Sequence, residues 1–291
     1  MKILLLGKQG QVGHELSRAL LPLGEVVAVD RSQLDLAEPE SIRTVVQFVR
    51  PQVIVNAAAY TAVDRAEQEP ELAYRINTLA PEILAQQARL LNAALVHYST
   101  DYVFDGTQRV PYTETDPTSP LGIYGQTKRA GEEAIQAMGI PHLILRTSWV
   151  YGRRGKNFLL TILRLARERT ELKIVADQVG IPTPSNFLAQ TTTQILQQSQ
   201  GDPAGFLQTQ GGLYHLTCTG VTTWYDFTRA ILSQTQDPER QVQTVYPITT
   251  DQYPTPARRP AYSVLNTERI QAQFGFTLPT WQEALADLVA T

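Results

Sequence analysis

Cysteine is all but missing. Cys218 stands alone among 291 residues, which excludes an internal disulfide and any multi-cysteine metal cluster and suits a reducing cytoplasm, where the chain is expected to work. Just after Leu216 and Thr217, which read as strand, Cys218 is expected to be a small core residue. Histidine is scarce too: His14, His97, His142 and His215 lack metal-ligand spacing, and three of them fall in or beside strand-like runs. No single sign of charge dominates, since 25 Lys and Arg stand against 28 Asp and Glu for a net charge of -3. That balance argues against a general nucleic-acid or anionic-membrane binder. Long apolar runs are absent. The opening Met1 to Leu6 stops at Gly7, too soon for a signal peptide, and nothing later nears the roughly 18 apolar residues of a membrane-spanning helix. There is no internal repeat, no G-x-S-x-G elbow and no Gly-Lys-Ser/Thr P-loop ending. What is plentiful is apolar residues, 43% of the chain, enough for one large or two smaller compact units.

The first of those apolar residues, Ile3 to Leu6, form a continuous run, as in a parallel strand covered on both faces, and lead directly into Gly7-Lys8-Gln9-Gly10-Gln11-Val12-Gly13. Leu16, Ala19, Leu20 and Leu23 then recur at helical spacing. Strand, glycine turn and helix together suggest a phosphate site: the glycines permit a close backbone approach, and the helix N-terminus offers unpaired N–H groups and partial positive charge. The spacing is G-x-x-G-x-x-G rather than the commoner G-x-G-x-x-G. A second strand, Val26 to Val29, ends at Asp30, placed to accept hydrogen bonds from an adenosine ribose. An aspartate there favours NADH, whereas Arg31 beside it would suit a 2′-phosphate, so NADPH and NADH both stay open.

Further along, Asp35-Leu36 would lie along the adenine edge. Val53 to Asn56 reads as a third strand, followed by the small-residue turn Ala57-Ala58-Ala59-Tyr60-Thr61 on which a dinucleotide would rest. Pro70 to Leu91 reads as one long helix, with Asn77 in its interior exposed or merely satisfied, and less readily a brace for the backbone. Ala94 to Tyr98 is another strand and delivers Ser99-Thr100-Asp101 to the carboxyl edge, where ligands bind in open α/β sheets. Leu143 to Leu145 follows in the same manner. The expected fold is a doubly wound parallel α/β sheet with right-handed crossovers.

Tyr124-Gly125-Gln126-Thr127-Lys128 is the stretch most suggestive of chemistry. On a helix, residues four apart share a face, so the phenol and the ammonium enter the same space. A Lys cation roughly 6 Å away favours the phenolate by about 3 kcal/mol at an effective dielectric of about 20, which lowers the phenol by about 2 pKa units. The pattern reads as a proton donor or, taken alone, as a solvated helix face.

The glycine turn, Ser99-Thr100-Asp101-Tyr102-Val103-Phe104 at a strand end and the Tyr124/Lys128 pair together resemble the extended short-chain dehydrogenase/reductase family. More narrowly, Asn56-Ala57-Ala58-Ala59-Tyr60-Thr61-Ala62-Val63-Asp64, Arg146-Thr147-Ser148-Trp149-Val150-Tyr151 and Tyr253-Pro254-Thr255-Pro256-Ala257-Arg258-Arg259-Pro260 resemble the dTDP-4-dehydrorhamnose reductase family, from Lys2 to Trp281. The resemblance implies a Rossmann-like fold and NAD(P)H-dependent reduction of the C4 ketone of dTDP-4-dehydro-L-rhamnose to dTDP-L-rhamnose.

The cofactor-binding set is then Gly7, Gly10, Gln11, Val12, Gly13, Asp30, Asp35, Leu36, Ala59, Tyr60 and Thr61, with Tyr124 and Lys128 at the nicotinamide end. Tyr124 would give its proton to the ketone oxygen, Thr100 would hydrogen-bond that oxygen, and Lys128 would tune the phenol and hold ribose hydroxyls. Ser99 competes with Thr100 for the inward direction, because neighbours on a strand face opposite sides. Asp101, Tyr102 and Trp149 match positions lining the sugar nucleotide, although core packing serves equally for Trp149. Of Arg258 and Arg259, one is expected on the diphosphate, with Arg258 preferred. Some members of the family dimerise through carboxylates sharing magnesium. Glu15 matches one such position but Asn186 stands where a second carboxylate belongs, so no functional metal is expected.

Residues 1–150 are expected to form the NAD(P)-binding domain, joined by parts of 181–220. Residues 151–291 would form a smaller, mostly helical substrate lobe from separated segments: helices at Asn157 to Arg169, Phe187 to Leu196, Trp224 to Leu232 and Trp281 to Leu288, a strand at Lys173 to Val175, and a rigid break at Gly180 to Pro184. The substrate would sit between the lobes. A monomer or weak homodimer is expected, with no nucleic-acid or membrane partner. The same fold also serves 4-epimerases, which keep a tightly held NAD, and non-catalytic binding proteins, which typically lose the Tyr or Lys retained here.

Overall fold

The computed structural model describes residues 1–290. Its central sheet has six parallel strands: β1 (Lys2–Leu6), β2 (Glu25–Val29), β3 (Val53–Asn56), β4 (Ala94–Thr100), β5 (His142–Thr147) and β6 (Gly212–His215). The order is β6-β5-β4-β3-β1-β2. The chain therefore leaves β1 for β2 on one side and returns to β3 on the other, which makes a topological switch point beside β1, where ligands of open α/β sheets bind.

The longer helices are α1 (Gln11–Ala19), α2 (Pro39–Val49), α3 (Ala80–Leu91), α4 (Ile123–Ala137), α5 (Phe158–Glu168), α6 (Ser185–Gln197), α7 (Trp224–Gln234) and α8 (Trp281–Ala290). The inner strands are unbroken apolar runs because helices cover both faces. Ile3, Leu5, Val53, Val55 and Val96 meet Leu16 of α1, Leu20 just past its end, and Leu188 and Leu196 of α6. Leu4, Leu6, Ile54 and Leu95 meet Ile42 and Val46 of α2, Leu84 and Ala88 of α3 and Ile135 of α4.

Two readings need correction here. Pro70 to Leu91 is not one regular helix: Pro70–Tyr74 runs into a π-helical turn, Arg75–Leu79, before α3 begins. Asn77 lies inside that turn and is 1% exposed. Its Oδ1 accepts the Tyr60 N–H at 2.8 Å, while Nδ2 donates to the Tyr60 carbonyl at 3.1 Å and to the Thr127 hydroxyl at 3.3 Å. Asn77 is a backbone brace, seated within the π-helical turn.

The second half builds a third apolar cluster from Tyr151, Leu159, Ile162, Cys218, Phe227, Ile231, Trp281 and Leu285. Cys218 is a buried free thiol, pushed up to about 12 by burial, as expected of a core residue. This part of the molecule is less purely helical than its pattern suggests. Glu171–Val175 pairs with Thr244–Ile248, Val179–Gly180 with Thr222–Thr223, and Val150–Tyr151 with Thr183–Pro184. Pairings of two residues are too short to leave any alternation in the sequence. The Gly180 to Pro184 break belongs to two of them.

Candidate active site

A cavity of about 880 Å³ opens along the carboxyl edge of the sheet. Its floor starts at the turn after β1. Gly7 adopts φ +86°, a region closed to most side chains, and receives a hydrogen bond on its carbonyl from the Gly10 N–H at 2.8 Å. A Cβ on Gly13 would overlap that same carbonyl oxygen, so the first turn of α1 can fold this tightly under the strand only with glycine there. No side chain caps the N-terminus of α1, and Gly10, Gln11 and Val12 line the cavity. Gly13 lies behind them. The turn thus presents backbone N–H groups and the positive end of a helix to an anion.

Asp30, Asp35 and Leu36 also line the cavity. Asp30 accepts the Ser32 hydroxyl at 2.6 Å and the Ser32 N–H at 3.0 Å, and Lys8 sits 3.3 Å away. Those hydrogen bonds, led by Ser32, hold the carboxyl down at about 2. Arg31 is paired with Asp35 at 3.2 Å rather than turned toward Asp30. Lys8 is a cation at this edge that the motif reading passed over, because only its glycine neighbours carried signal. Ala59, Tyr60 and Thr61 form the next stretch of wall, held through Tyr60 by Asn77.

Tyr124 and Lys128 share the inward face of α4, which begins where Glu67 accepts the Ile123 N–H at 2.9 Å. Ser99 and Thr100 both line the cavity, and it is the Thr100 hydroxyl that acts on the Tyr124 phenol, lowering it against the effect of burial. Thr100 also donates to Asp101 at 3.1 Å and accepts the Tyr102 N–H at 3.1 Å. The Tyr102 ring meets Tyr124 edge-on at 5.7 Å.

The electrostatics differ from the expectation for the pair. Burial pushes the Tyr124 phenol up to about 12, with Thr100 acting the other way. Lys128 does not lower the phenol, because its Nζ is turned to the Tyr98 carbonyl at 2.6 Å and to His97 at 3.0 Å. Lys128 is 1% exposed, and burial pushes it down to about 8. Burial also raises Asp101, to about 7, against the hydroxyls of Ser263 and Thr100.

Trp149 lines the cavity at φ +45°, stacked on Trp224. A Cβ on Gly180 would come within 2.5 Å of the Trp149 indole, so the ring is wedged between a bare backbone and a second indole. Plain core packing does not describe it. Trp224, Lys156 and Thr147 line the cavity as well; they lie on elements whose approach to the sheet edge leaves no local pattern. Arg258 is exposed and borders a small crevice beside the cavity, next to Tyr102, Tyr124 and Glu67. Arg259 is bound to Asp64 at 2.8 Å, to the Ala257 carbonyl at 3.1 Å and to Thr255.

Glycine turn, switch-point cavity, strand-end carboxylate and a Tyr/Lys pair on one helix face fit a nicotinamide dinucleotide and define a Rossmann-type reductase fold. More particularly, the chain belongs to the RmlD substrate binding domain family, whose model matches residues 1–291. It is 46% identical over 288 residues to dTDP-4-dehydrorhamnose reductase of Escherichia coli (strain K12), covering 97% of this chain and 95% of that protein. A crystal structure of a dTDP-4-dehydrorhamnose reductase from Clostridium acetobutylicum superposes with a TM-score of 0.91 at 37% identity, covering 100% of this chain and 99% of that one. Another, from Bacillus anthracis in complex with NADP, gives 0.89 at 35% identity, covering 99% and 98%.

Proposed function

We propose that this chain reduces the C4 ketone of dTDP-4-dehydro-L-rhamnose to dTDP-L-rhamnose with NADPH or NADH. The observation that carries the reading is the meeting of Tyr124, Thr100 and Lys128 on the cavity that the glycine turn floors, in a chain so similar to reductases of that name.

A reduced nicotinamide bound there supplies the hydride. The chain's own groups do the rest. Tyr124 donates its phenolic proton to the C4 oxygen as that oxygen gains charge, so a full alkoxide never has to be held. A phenol kept up at about 12 stays protonated between turnovers and releases its proton only to a stronger base. Thr100 fixes the direction of the hydroxyl it touches and adds a second hydrogen bond to the developing charge. Lys128 holds ribose hydroxyls. Trp149 borders the deoxysugar from the cavity wall, and Asp101 and Tyr102 hydrogen-bond its hydroxyls. Arg258 serves the diphosphate, a role supported by the engagement of Arg259 with Asp64.

Residues 1–150 with parts of 181–220 act as the cofactor domain and the remainder as the substrate lobe. The chain works as a monomer or weak homodimer in the cytoplasm. Among the described residues no helix is long and apolar enough to cross a membrane.

The test is loss of reduced-nicotinamide absorbance when the protein is mixed with NADPH and the 4-keto sugar nucleotide. Steady consumption matching product supports the reading. Interconversion of sugar epimers without net consumption would replace it with a 4-epimerase, and inertness of a folded protein would overturn both.

A further inference from the structure

His97, on β4, is 1% exposed and touches Lys128 on one side and Asn56 of β3 on the other. Its Nε2 lies 3.0 Å from Lys128 Nζ and its Nδ1 lies 3.1 Å from Asn56 Nδ2. The Asn56 carboxamide is oriented from its far end, where Oδ1 accepts the Ala58 N–H at 3.2 Å. Its amide hydrogens therefore face the imidazole. A neutral imidazole has one N–H and one accepting nitrogen. With Nδ1 facing a donor, Nδ1 is the acceptor and the proton sits on Nε2, pointing at Lys128. An ammonium has three donors and no lone pair, whereas a neutral amine can accept that N–H.

A charged Lys128 needs the opposite wiring. Nε2 must accept from the ammonium, Nδ1–H must donate to Asn56 Oδ1, and the carboxamide must turn, which leaves the Ala58 N–H facing amide hydrogens. The imidazole stays neutral in both arrangements, and the net difference is one proton on Nζ. We propose that Asn56 and His97 are a positioning pair that weakens the hold of Lys128 on its proton, tying its charge to the imidazole tautomer and to the orientation of the Asn56 amide.

Other groups facing Lys128 do not supply this coupling. The Tyr98 carbonyl of β4 accepts from it in either state. On its own helix stand Tyr124 and Glu132; Glu132, though paired with Arg146 of β5 through contacts of 2.9 and 2.7 Å, raises Lys128 and so opposes the loss of its proton. Burial acts in the same direction as the pair, lowering Lys128 and keeping His97 far below its usual value.

The inference rests on the reductase reading for its kinetic consequence but not for its direct test. In the protein without substrate, long-range 15N–1H spectra of the His97 ring are expected to change from the Nδ1–H to the Nε2–H tautomer as pH rises from about 6 to about 10. One tautomer throughout, or an imidazolium at the acid end, would overturn the proposal. In turnover, kcat/KM is expected to fall as Lys128 loses its proton. Asn56→Asp supplies an acceptor for Nδ1–H, favours the ammonium and should move that alkaline limb upward by about one pH unit or more. A limb that stays in place in a folded Asn56→Asp protein would overturn the coupling. A wild type that consumes no reduced cofactor would instead count against the reductase reading, and the spectra would still decide the tautomer.

Discussion

The indoles of Trp149 and Trp224 lie face to face, their centroids 3.5 Å apart and their planes within 7° of parallel. Trp149 follows β5 and Trp224 opens α7, so the stack joins the sheet edge to the third apolar cluster. Phe158 leans on Trp224 at 4.4 Å from the other side. Trp224→Ala leaves Trp149 on a strained backbone without its partner. An aromatic pair contributes about 0.5–1.5 kcal/mol beyond the area it buries, so KM for the sugar nucleotide should rise about 3- to 10-fold while kcat changes less. An unchanged KM would show that Trp149 is held by Gly180 alone.

Tyr124→Phe keeps the ring against Tyr102 and removes the hydroxyl that touches Thr100. The variant should fold and bind NADPH normally, and kcat should fall about 100- to 10,000-fold, the usual worth of a positioned acid. Steady-state rates with cofactor titration by fluorescence check this. Retained turnover would remove Tyr124 from the acid role.

Asn77→Ala deletes a carboxamide that satisfies both the N–H and the carbonyl of Tyr60. Stranding two part-buried backbone groups should cost about 1–3 kcal/mol and lower Tm measurably. Because Tyr60 lines the cavity, the affinity for NADPH should weaken as well. Calorimetry and cofactor titration separate the two effects, and a variant as stable as wild type would refute the bracing role.

Asp101 has its carboxyl raised to about 7 by burial, above the value of about 4 that an unfolded chain gives it. Between those values the folded protein binds the extra proton. Stability from this group is therefore greatest at acid pH and is lost as pH rises through about 7. Asp101→Asn should flatten that loss and stabilise the fold at pH 8 by on the order of a few kcal/mol, seen as a higher Tm. A Tm difference between the two proteins that is constant from about pH 4 to about pH 8 would contradict it.

Much of this architecture could be read from the residues. Continuous apolar runs ending in glycine or polar turns marked β1 to β5, since a parallel strand with both faces covered has no alternation to hide it. The glycine turn and the Tyr124/Lys128 spacing were equally plain, because each fits within one turn or one helix face. β6 was marked only by Leu216 and Thr217, just beyond its end at His215, and the short strand pairs of the second half are too brief to carry a pattern. Trp224 was missed for a different reason. It reaches the cavity through the path of its backbone in space, and a linear pattern does not record that path. The direction of the Tyr124 shift was misjudged because spacing sets the neighbour, Lys128, but not where its ammonium points or how much water is lost.

The edge position of β6 bears on how the molecule is made. The strand that closes the sheet beside β5 and the helix α6 that covers α1 are translated long after the glycine turn. Until the ribosome has passed His215, the nascent chain holds an open β edge and an uncovered helix, both prone to association. Synthesis order thus makes the nucleotide half dependent on the distal half, and a chain truncated near residue 150 would be a chaperone client rather than a working module.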